Sequence, residues 1–254
     1  MKEQRQVNWL NFIAPIALLV ILLVGAEWYI VTNDIPRWMI ASPSAIIKEL
    51  ISSFSSDIFP NFAITLGEIL TGYLIAVPLG VLIAILLTQF YTFGKAFAPY
   101  TIAVISTPLV ILVPLLTIWL GLGFRVKVIA VVLQSFTIVM MNCTTGFNNI
   151  DPLKMELMKT INASRWQKLK YVILPSSLPN IFNGMRMSAI SASTAAIATE
   201  FYSSTEGLGA MILHSSAYLN IERMFASIVM VAVTGITLYI LPSIIEKLVI
   251  RWKI

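Results

Sequence analysis

Long, nearly uncharged apolar runs recur along this chain, and no other feature limits its fold as strongly. A helix needs ~20 apolar residues to cross the hydrocarbon of a bilayer, and runs of about that length are read at 12–30, 64–89, 98–120, 126–146, 181–200 and 224–245. The composition agrees: 58% of the 254 residues are hydrophobic and 11% are charged, too apolar for an ordinary soluble domain. The expectation is therefore an all-α integral membrane protein, one transmembrane domain over 1–254 with six membrane-spanning helices. The run at 181–200 is the least apolar. Its Ser188-Ala189-Ile190-Ser191-Ala192-Ser193 stretch is built from small residues that let helix backbones approach closely or line a polar cavity, which predicts a central position.

The remaining composition removes alternatives. A net charge of +5 could suit nucleic acid, but the basic residues are scattered around apolar runs and form no stripe. Cys143 is the only cysteine, so there is no intrachain disulfide or cysteine-based metal cluster, and no metal ligand set is predicted. Lys2 and Arg5 ahead of the first run resemble a signal peptide, yet that run is long and ends on Glu27, Trp28 and Tyr29 instead of a small-residue cleavage site. It reads as a retained span.

Six spans put both termini on one side, and Lys and Arg accumulate on the cytoplasmic side of membrane proteins. The terminal side holds Lys2, Arg5, Lys95, Lys154, Lys159, Arg165, Lys168, Lys170, Lys247, Arg251 and Lys253, against Arg37, Lys48, Arg125, Lys127 and Arg223 opposite. Both termini are predicted to be cytoplasmic, with Arg125 and Lys127 standing against the rule. The outer stretch 31–61 contains Ser42-Pro43-Ser44 before an amphipathic 45–51, predicting a capped helix along the outer surface.

The inner stretch 151–179 is the most informative. Asp151-Pro152 starts a helix, Asn162 can end it in left-handed backbone, and Ser164-Arg165-Trp166-Gln167 starts a second short helix predicted to stop at Pro175. Aromatic and aliphatic side chains beside Lys and Arg make a surface suited to a protein groove.

Glu156, the turn at Asn162, Ala163-Ser164-Arg165-Trp166, Val172-Ile173-Leu174-Pro175, Pro179 and Gly184-Met185-Arg186 together resemble the EAA loop of binding-protein-dependent ABC permeases. The pattern departs from the family at Leu157-Met158, usually Ala-Ala, and at Asn162, usually Gly. Ser42-Pro43, the segment from Pro108 to Gly123, and Glu200 with Glu206-Gly207-Leu208-Gly209 resemble the nitrate, sulfonate and taurine branch, to which several vitamin and pyrimidine-precursor importers belong. The resemblance implies an ABC importer permease fold in a bacterial cell membrane. It implies that Glu156, Asn162, Ala163, Ser164, Arg165 and Trp166 couple to an ATPase subunit, with Pro175, Pro179 and Gly184 shaping the loop. It also implies the partners: a second permease subunit, with a homodimer expected, two cytoplasmic ABC ATPases and an external solute-binding protein or lipoprotein. ATP and Mg belong to the ATPases, and this chain holds no cofactor.

No G-x-x-x-x-G-K-[ST] phosphate loop is present, so the chain has no ATP site of its own. His214 is the only histidine, and no H-E-x-x-H, paired-Asp or G-x-S-x-G pattern accompanies it, so no catalytic residue is assigned. Ionisable groups inside spans are costly and mark partners or aqueous paths; Glu68, Arg186 and Glu200 are the candidates, with Arg186 read as an anchor for the loop. Related sequences often have arginine at the position of Glu68, so a carboxylate there favours a neutral or cationic solute over an anion. Glu68, Pro108, Pro114, Ser191 and Glu200 are the candidate path residues. An ion-coupled secondary transporter is the rival reading, but the midplane carboxylates on broken helices and the inverted repeats that it needs are not evident.

Overall fold

The structure, a computed structural model, describes residues 10–203 and 205–250. The terminal charges Lys2, Arg5, Arg251 and Lys253 lie outside the described residues. The described chain is helical: α1 Leu10–Thr32, α2 Pro43–Ser52, a π-helical turn Phe54–Ile58 running into α3 Phe59–Gln89, α4 Tyr91–Ser106, α5 Leu109–Leu120, α6 Phe124–Asn148, α7 Pro152–Thr160, α8 Arg165–Lys168, a second π turn Leu169–Ile173 running into α9 Leu174–Ser203, α10 Leu208–Ala217 and α11 Ile221–Val249.

The core is α6 held between α3 and α9. Glycine lets these backbones meet: a Cβ on Gly72 would fall 2.5 Å from the Val131 side chain, and one on Gly80 would fall 2.7 Å from the Phe136 carbonyl oxygen. On α9 the small side chains Ser188, Ala189, Ala192, Ser193, Ala195 and Ala196 are all buried. That is the close-approach surface expected of a stretch without bulky residues. By contrast α1 is apolar and largely bare, with Ile30 near its end buried, and its strongest contact is with α2. Two hydrogen bonds tie them, from the Ser44 amide and hydroxyl to the Glu27 carboxylate at 2.9 and 2.6 Å.

Among the described residues, four helices are long and apolar enough to cross a bilayer: Ile13–Thr32, Phe54–Gln89, Phe124–Asn148 and Ile221–Val249. Helix α9 has the length, 30 residues, but carries Arg186, Glu200 and a run of Ser, Thr and Ala. The predicted span at 98–120 is not one helix. It divides into α4 and α5 at Thr107, which is extended at φ −85°, ψ 115°, and at Pro108, φ −60°, ψ 125°. A proline ring disfavours helical backbone in the residue before it and supplies no N–H, so the helix ends and restarts there. Pro108 is thus a break between helices and not a kink within one; Pro114 lies inside α5.

The predicted stop at Pro175 is also corrected. The chain passes from α8 through the π turn into α9, with Pro175 as the second residue of that helix and Pro179 inside it. A proline inside a continuous helix removes one backbone bond and crowds the carbonyl of the residue four before it, and the π turn Leu169–Ile173 lies where that crowding falls.

Candidate functional site

The segment joining α6 to α9 is shaped by local capping. The Asp151 carboxylate accepts from the Leu153 amide at 2.9 Å, with Pro152 opening α7. Helix α7 closes at Ile161, and Asn162 then takes φ +51°. There its amide donates to the Lys159 carbonyl and that of Ala163 to the Met158 carbonyl, both at 3.0 Å, a left-handed C-terminal cap. Asparagine visits this region more readily than most side chains. Ser164 and Gln167 form a reciprocal capping box, Gln167 N–H to Ser164 Oγ at 3.2 Å and Ser164 N–H to Gln167 Oε1 at 2.7 Å, which starts α8.

This unit is anchored by one face and bare on the other. Met158, Leu169 and Ile173 are buried, the last two in a cluster with Val139, Met140, Cys143 and Phe147. Leu153, Leu157 and Ile161 face outward with Trp166, which is 72% exposed. Glu156 and Arg165 are exposed beside them and make no ion pair among the described residues. Farther along α9, Gly184 lets the helix close on α6, where an added Cβ would stand 3.0 Å from that of Asn142. Next to it Asn183 donates to Asn142 Oδ1 at 2.8 Å. Arg186 pairs with Glu246 of α11, which fixes the first half of α9 to the end of α11.

At the opposite end of α9 lies a buried group of charges. Lys127 Nζ is 2.5 Å from Glu68 Oε1, with side chains 5% and 1% exposed. Glu200 is fully buried. It accepts from Thr65 Oγ1 at 2.6 Å and from the Gly209 amide at 2.5 Å, while the Leu208 amide donates to Thr65 Oγ1 at 2.8 Å and the Gly207 amide to Asn61 Oδ1 at 2.7 Å. Carboxylate, hydroxyl and amide oxygens thus satisfy the opening N–H groups of α10, where the helix dipole favours negative charge. Gly207, at φ +104°, leaves 2.0 Å between a Cβ and Glu200 Oε1, so neither its backbone nor its space admits another residue.

These contacts correct two expectations. Glu68 does not present a free carboxylate to an entrance, because Lys127 closes on it; the inference that its charge repels anions loses its basis. Lys127, counted above with the loop charges, lies in α6, and its neighbours Val126, Val128, Ala130 and Val131 are buried with it. A lysine inside so apolar a run is the signal that sequence reading missed, since a buried ammonium requires a counter-ion. Of the candidate path residues, Glu68 and Glu200 come together. Pro108 and Pro114 are exposed and Ser191 half-buried, none of them in that group.

Two hollows remain. One of about 760 Å³ runs between α9 and α11 and is lined by Val110, Thr194, Phe201, Tyr202, Ile236 and Tyr239 among others. A polar one of about 410 Å³ at the α10 end is lined by Asp57, Asn61, His214, Tyr218 and Arg223 among others. Among the described residues no group of three or more His, Cys, Asp or Glu is placed to hold a metal ion.

The sequence matches the family described as binding-protein-dependent transport system inner membrane component over residues 76–253. A riboflavin transport system permease protein of Chloroflexus aurantiacus is 27% identical over 99% of this chain and 94% of its own length. A putative aliphatic sulfonates transport permease protein of Bacillus subtilis is 26% identical over 93% of this chain and 87% of its own. The crystal structure of an amino acid ABC transporter with histidines shares the fold, with a TM-score of 0.65 at 19% identity over 78% of this chain and 97% of that one.

Proposed function

The chain belongs to the family of inner membrane components of binding-protein-dependent transport systems, and from that premise we propose how its geometry serves import. It is the permease subunit of an ATP-binding-cassette importer in the cell membrane, with ATP hydrolysed by separate ATPase partners and solute supplied by a substrate-binding protein.

In our reading the α7–α8 unit is the contact with the ATPase. The observation that carries it is the bare apolar edge of Leu153, Leu157, Ile161 and Trp166 on a segment whose other face is fixed in the core. A large, rigidly held aromatic and aliphatic surface left uncovered by the described residues suits a groove on another protein. Glu156, Asn162, Ala163, Ser164, Arg165 and Trp166 form this contact, while Pro175, Pro179 and Gly184 set how it joins α9. ATP and Mg bind on the ATPase. Closure of the two ATPases moves the paired units, and α9 carries that motion to the Glu200 end, biasing a two-state change in access.

The remaining assignments follow. Six crossings are made by α1, α3, α4 with α5, α6, α9 and α11, with both termini cytoplasmic; removing Lys127 from the loop charges strengthens that orientation. Two copies pair, and the path runs between them along α9, near Ser191, and along α5, near Pro108 and Pro114. The solute is a small neutral or cationic vitamin precursor such as a pyrimidine. Support comes from the larger hollow, whose named lining is aromatic, aliphatic and hydroxyl-bearing without a cation, whereas a sulfonate is held by charge-assisted hydrogen bonds.

The test is co-purification of wild type and Trp166→Ala permease with a Walker-motif ATPase, followed by ATP-driven uptake in vesicles. Loss of the ATPase from a folded Trp166→Ala protein is expected; undiminished binding and uptake would sink the docking assignment. Uptake of a sulfonate in preference to a pyrimidine or flavin would overturn the solute class.

A further inference from the structure

The docking edge is not only apolar. Lys154, Lys159, Arg165, Lys168 and Lys170 surround it, against Asp151 and Glu156 alone on the acidic side, and Asp151 is occupied in capping α7. Lys154, Lys159, Arg165 and Lys170 are exposed and Lys168 half-buried. None of the five makes an ion pair among the described residues; Lys170 lies 5.5 Å from the centre of the Tyr171 ring. Leu153 and Leu157, one turn apart, share a face of α7, with Lys154 to one side and Lys159 to the other, while Arg165 sits beside Trp166 at the start of α8.

Three cations packed between helices make a contrast, while Arg37, Lys48, Arg125 and Lys247, single charges elsewhere in the fold, make no ion pair among the described residues either. Lys127, Arg186 and Arg223 each have a carboxylate. The five on the docking unit do not, and self-repulsion among them costs free energy that an oppositely charged partner removes. We propose that the surface receiving α7 and α8 on the ATPase is an apolar slot with an acidic rim, and that attraction between this rim and Lys154, Lys159, Arg165 and Lys170 sets how fast the subunits assemble. The proposal rests on the docking assignment above and adds to it the chemistry of the partner. Rim charges act chiefly on association rate and salt dependence, and buried anchors chiefly on dissociation.

The experiment uses full-length permease in neutral phosphatidylcholine nanodiscs and, as probe, the ATPase subunit recovered with it, purified alone. Association should slow about tenfold or more between roughly 50 and 500 mM salt, over which the screening length falls from above 10 Å to a few Å. The double variant Lys159→Glu with Arg165→Glu should associate about tenfold more slowly at low salt and lose its salt dependence, and Lys154→Glu with Lys170→Glu should repeat this from other positions. Trp166→Ala should speed dissociation and leave the salt slope intact.

Wild-type binding that ignores salt, with charge-reversed variants indistinguishable from it, overturns the acidic rim while leaving the docking site standing. Absence of binding at any ionic strength overturns the docking assignment itself. A defect on charge reversal that appears only when phosphatidylglycerol is added means that the cations serve lipid head groups, and overturns the proposal in favour of that role.

Discussion

The two ends of α9 handle polar groups in opposite ways. At the α10 end, Lys127 is matched to Glu68 and the Glu200 carboxylate is filled by a hydroxyl and a backbone amide. At the α7 end, Trp166, Leu157, Lys159 and Arg165 are laid out in the open, the two cations with no ion pair among the described residues. Buried charge is tolerated only when neutralised and hydrogen-bonded, and the first end largely meets this within one subunit, with Glu68 Oε2 the one buried oxygen of the group left without a hydrogen-bond partner. The second is held in shape by capping and by Met158, Leu169 and Ile173, yet leaves its apolar and cationic groups unsatisfied. One end reads as architecture and the other as an interface.

The largest effect should come from breaking the internally paired end. Lys127→Met leaves Glu68 charged and buried without its counter-ion, and should cost about 3–5 kcal/mol, seen as a large fall in the melting temperature of purified protein. Replacing both partners, Lys127→Met with Glu68→Met, should recover most of the loss, because a packed apolar pair is often as stable as a buried ion pair. A harmless single substitution would remove the distinction between the two ends.

Next in size is Gly207→Val. A β-branched residue at φ +104° meets both backbone strain and the Glu200 carboxylate, which a Cβ would approach to 2.0 Å. A loss of at least about 2 kcal/mol is expected. The same substitution at Gly235, where a Cβ would find its nearest neighbour at 3.9 Å, should cost little beyond propensity, and equal losses at both sites would show that the Glu200 contact is not responsible.

Much of this was legible in the sequence, and the difference between the two ends explains how much. The α7–α8 unit is specified by neighbours in the chain: Asp151-Pro152, Asn162, and Ser164 with Gln167 are capping signals that act over two to four residues, so the bend and both helix starts could be placed. The partner of Glu68 lies 59 residues away and that of Glu200, Thr65, 135 residues away. Periodicity carries no information about which spans adjoin. Lys127 was discoverable only by asking why an ammonium stands among valines. The division at Pro108 was available in principle, since proline signals a break, but apolar content continued through it and masked the boundary.

A smaller effect is predicted at Asn162. Asn162→Gly should fold and couple normally, and Asn162→Val should lose about 1–2 kcal/mol locally, because a branched side chain at φ +51° crowds the carbonyl oxygen. The readout is ATPase binding with the permease still inserted, and Gly and Val behaving alike would mean that the cap does not shape the interface.

The smallest effect tests a third, partly solvated contact that lies between the two extremes. Arg223 Nε donates to Glu49 Oε1 at 3.0 Å and Nη2 lies 3.3 Å from Asp57 Oδ2, while Ser53 Oγ donates to Glu49 at 2.7 Å. Together they clip α2 to α11. Partial burial pulls the Glu49 carboxyl upward, but the Ser53 hydroxyl and the Arg223 guanidinium outweigh it, and the net direction is below the usual glutamate value. A carboxyl lowered in the folded state contributes its stability above the unfolded value of about 4.3 and loses it as pH falls through the lowered folded value. The clip should therefore be unchanged between about pH 7 and 5 and should loosen only below about pH 4. Because the pair is partly solvated, with side chains 33% and 21% exposed, the contribution should stay at or under about 1 kcal/mol. Hydrogen exchange of the α2 amides, corrected for intrinsic rates and measured in an Asp57→Asn background so that Glu49 alone titrates in the clip, should show the acid-side loosening. Glu49→Gln should show faster exchange at neutral pH and no further change on acidification. If the α2 amides of the Gln variant still respond to acid as wild type does, another group holds α2, and the contact belongs with the unsatisfied surface and not with the architecture.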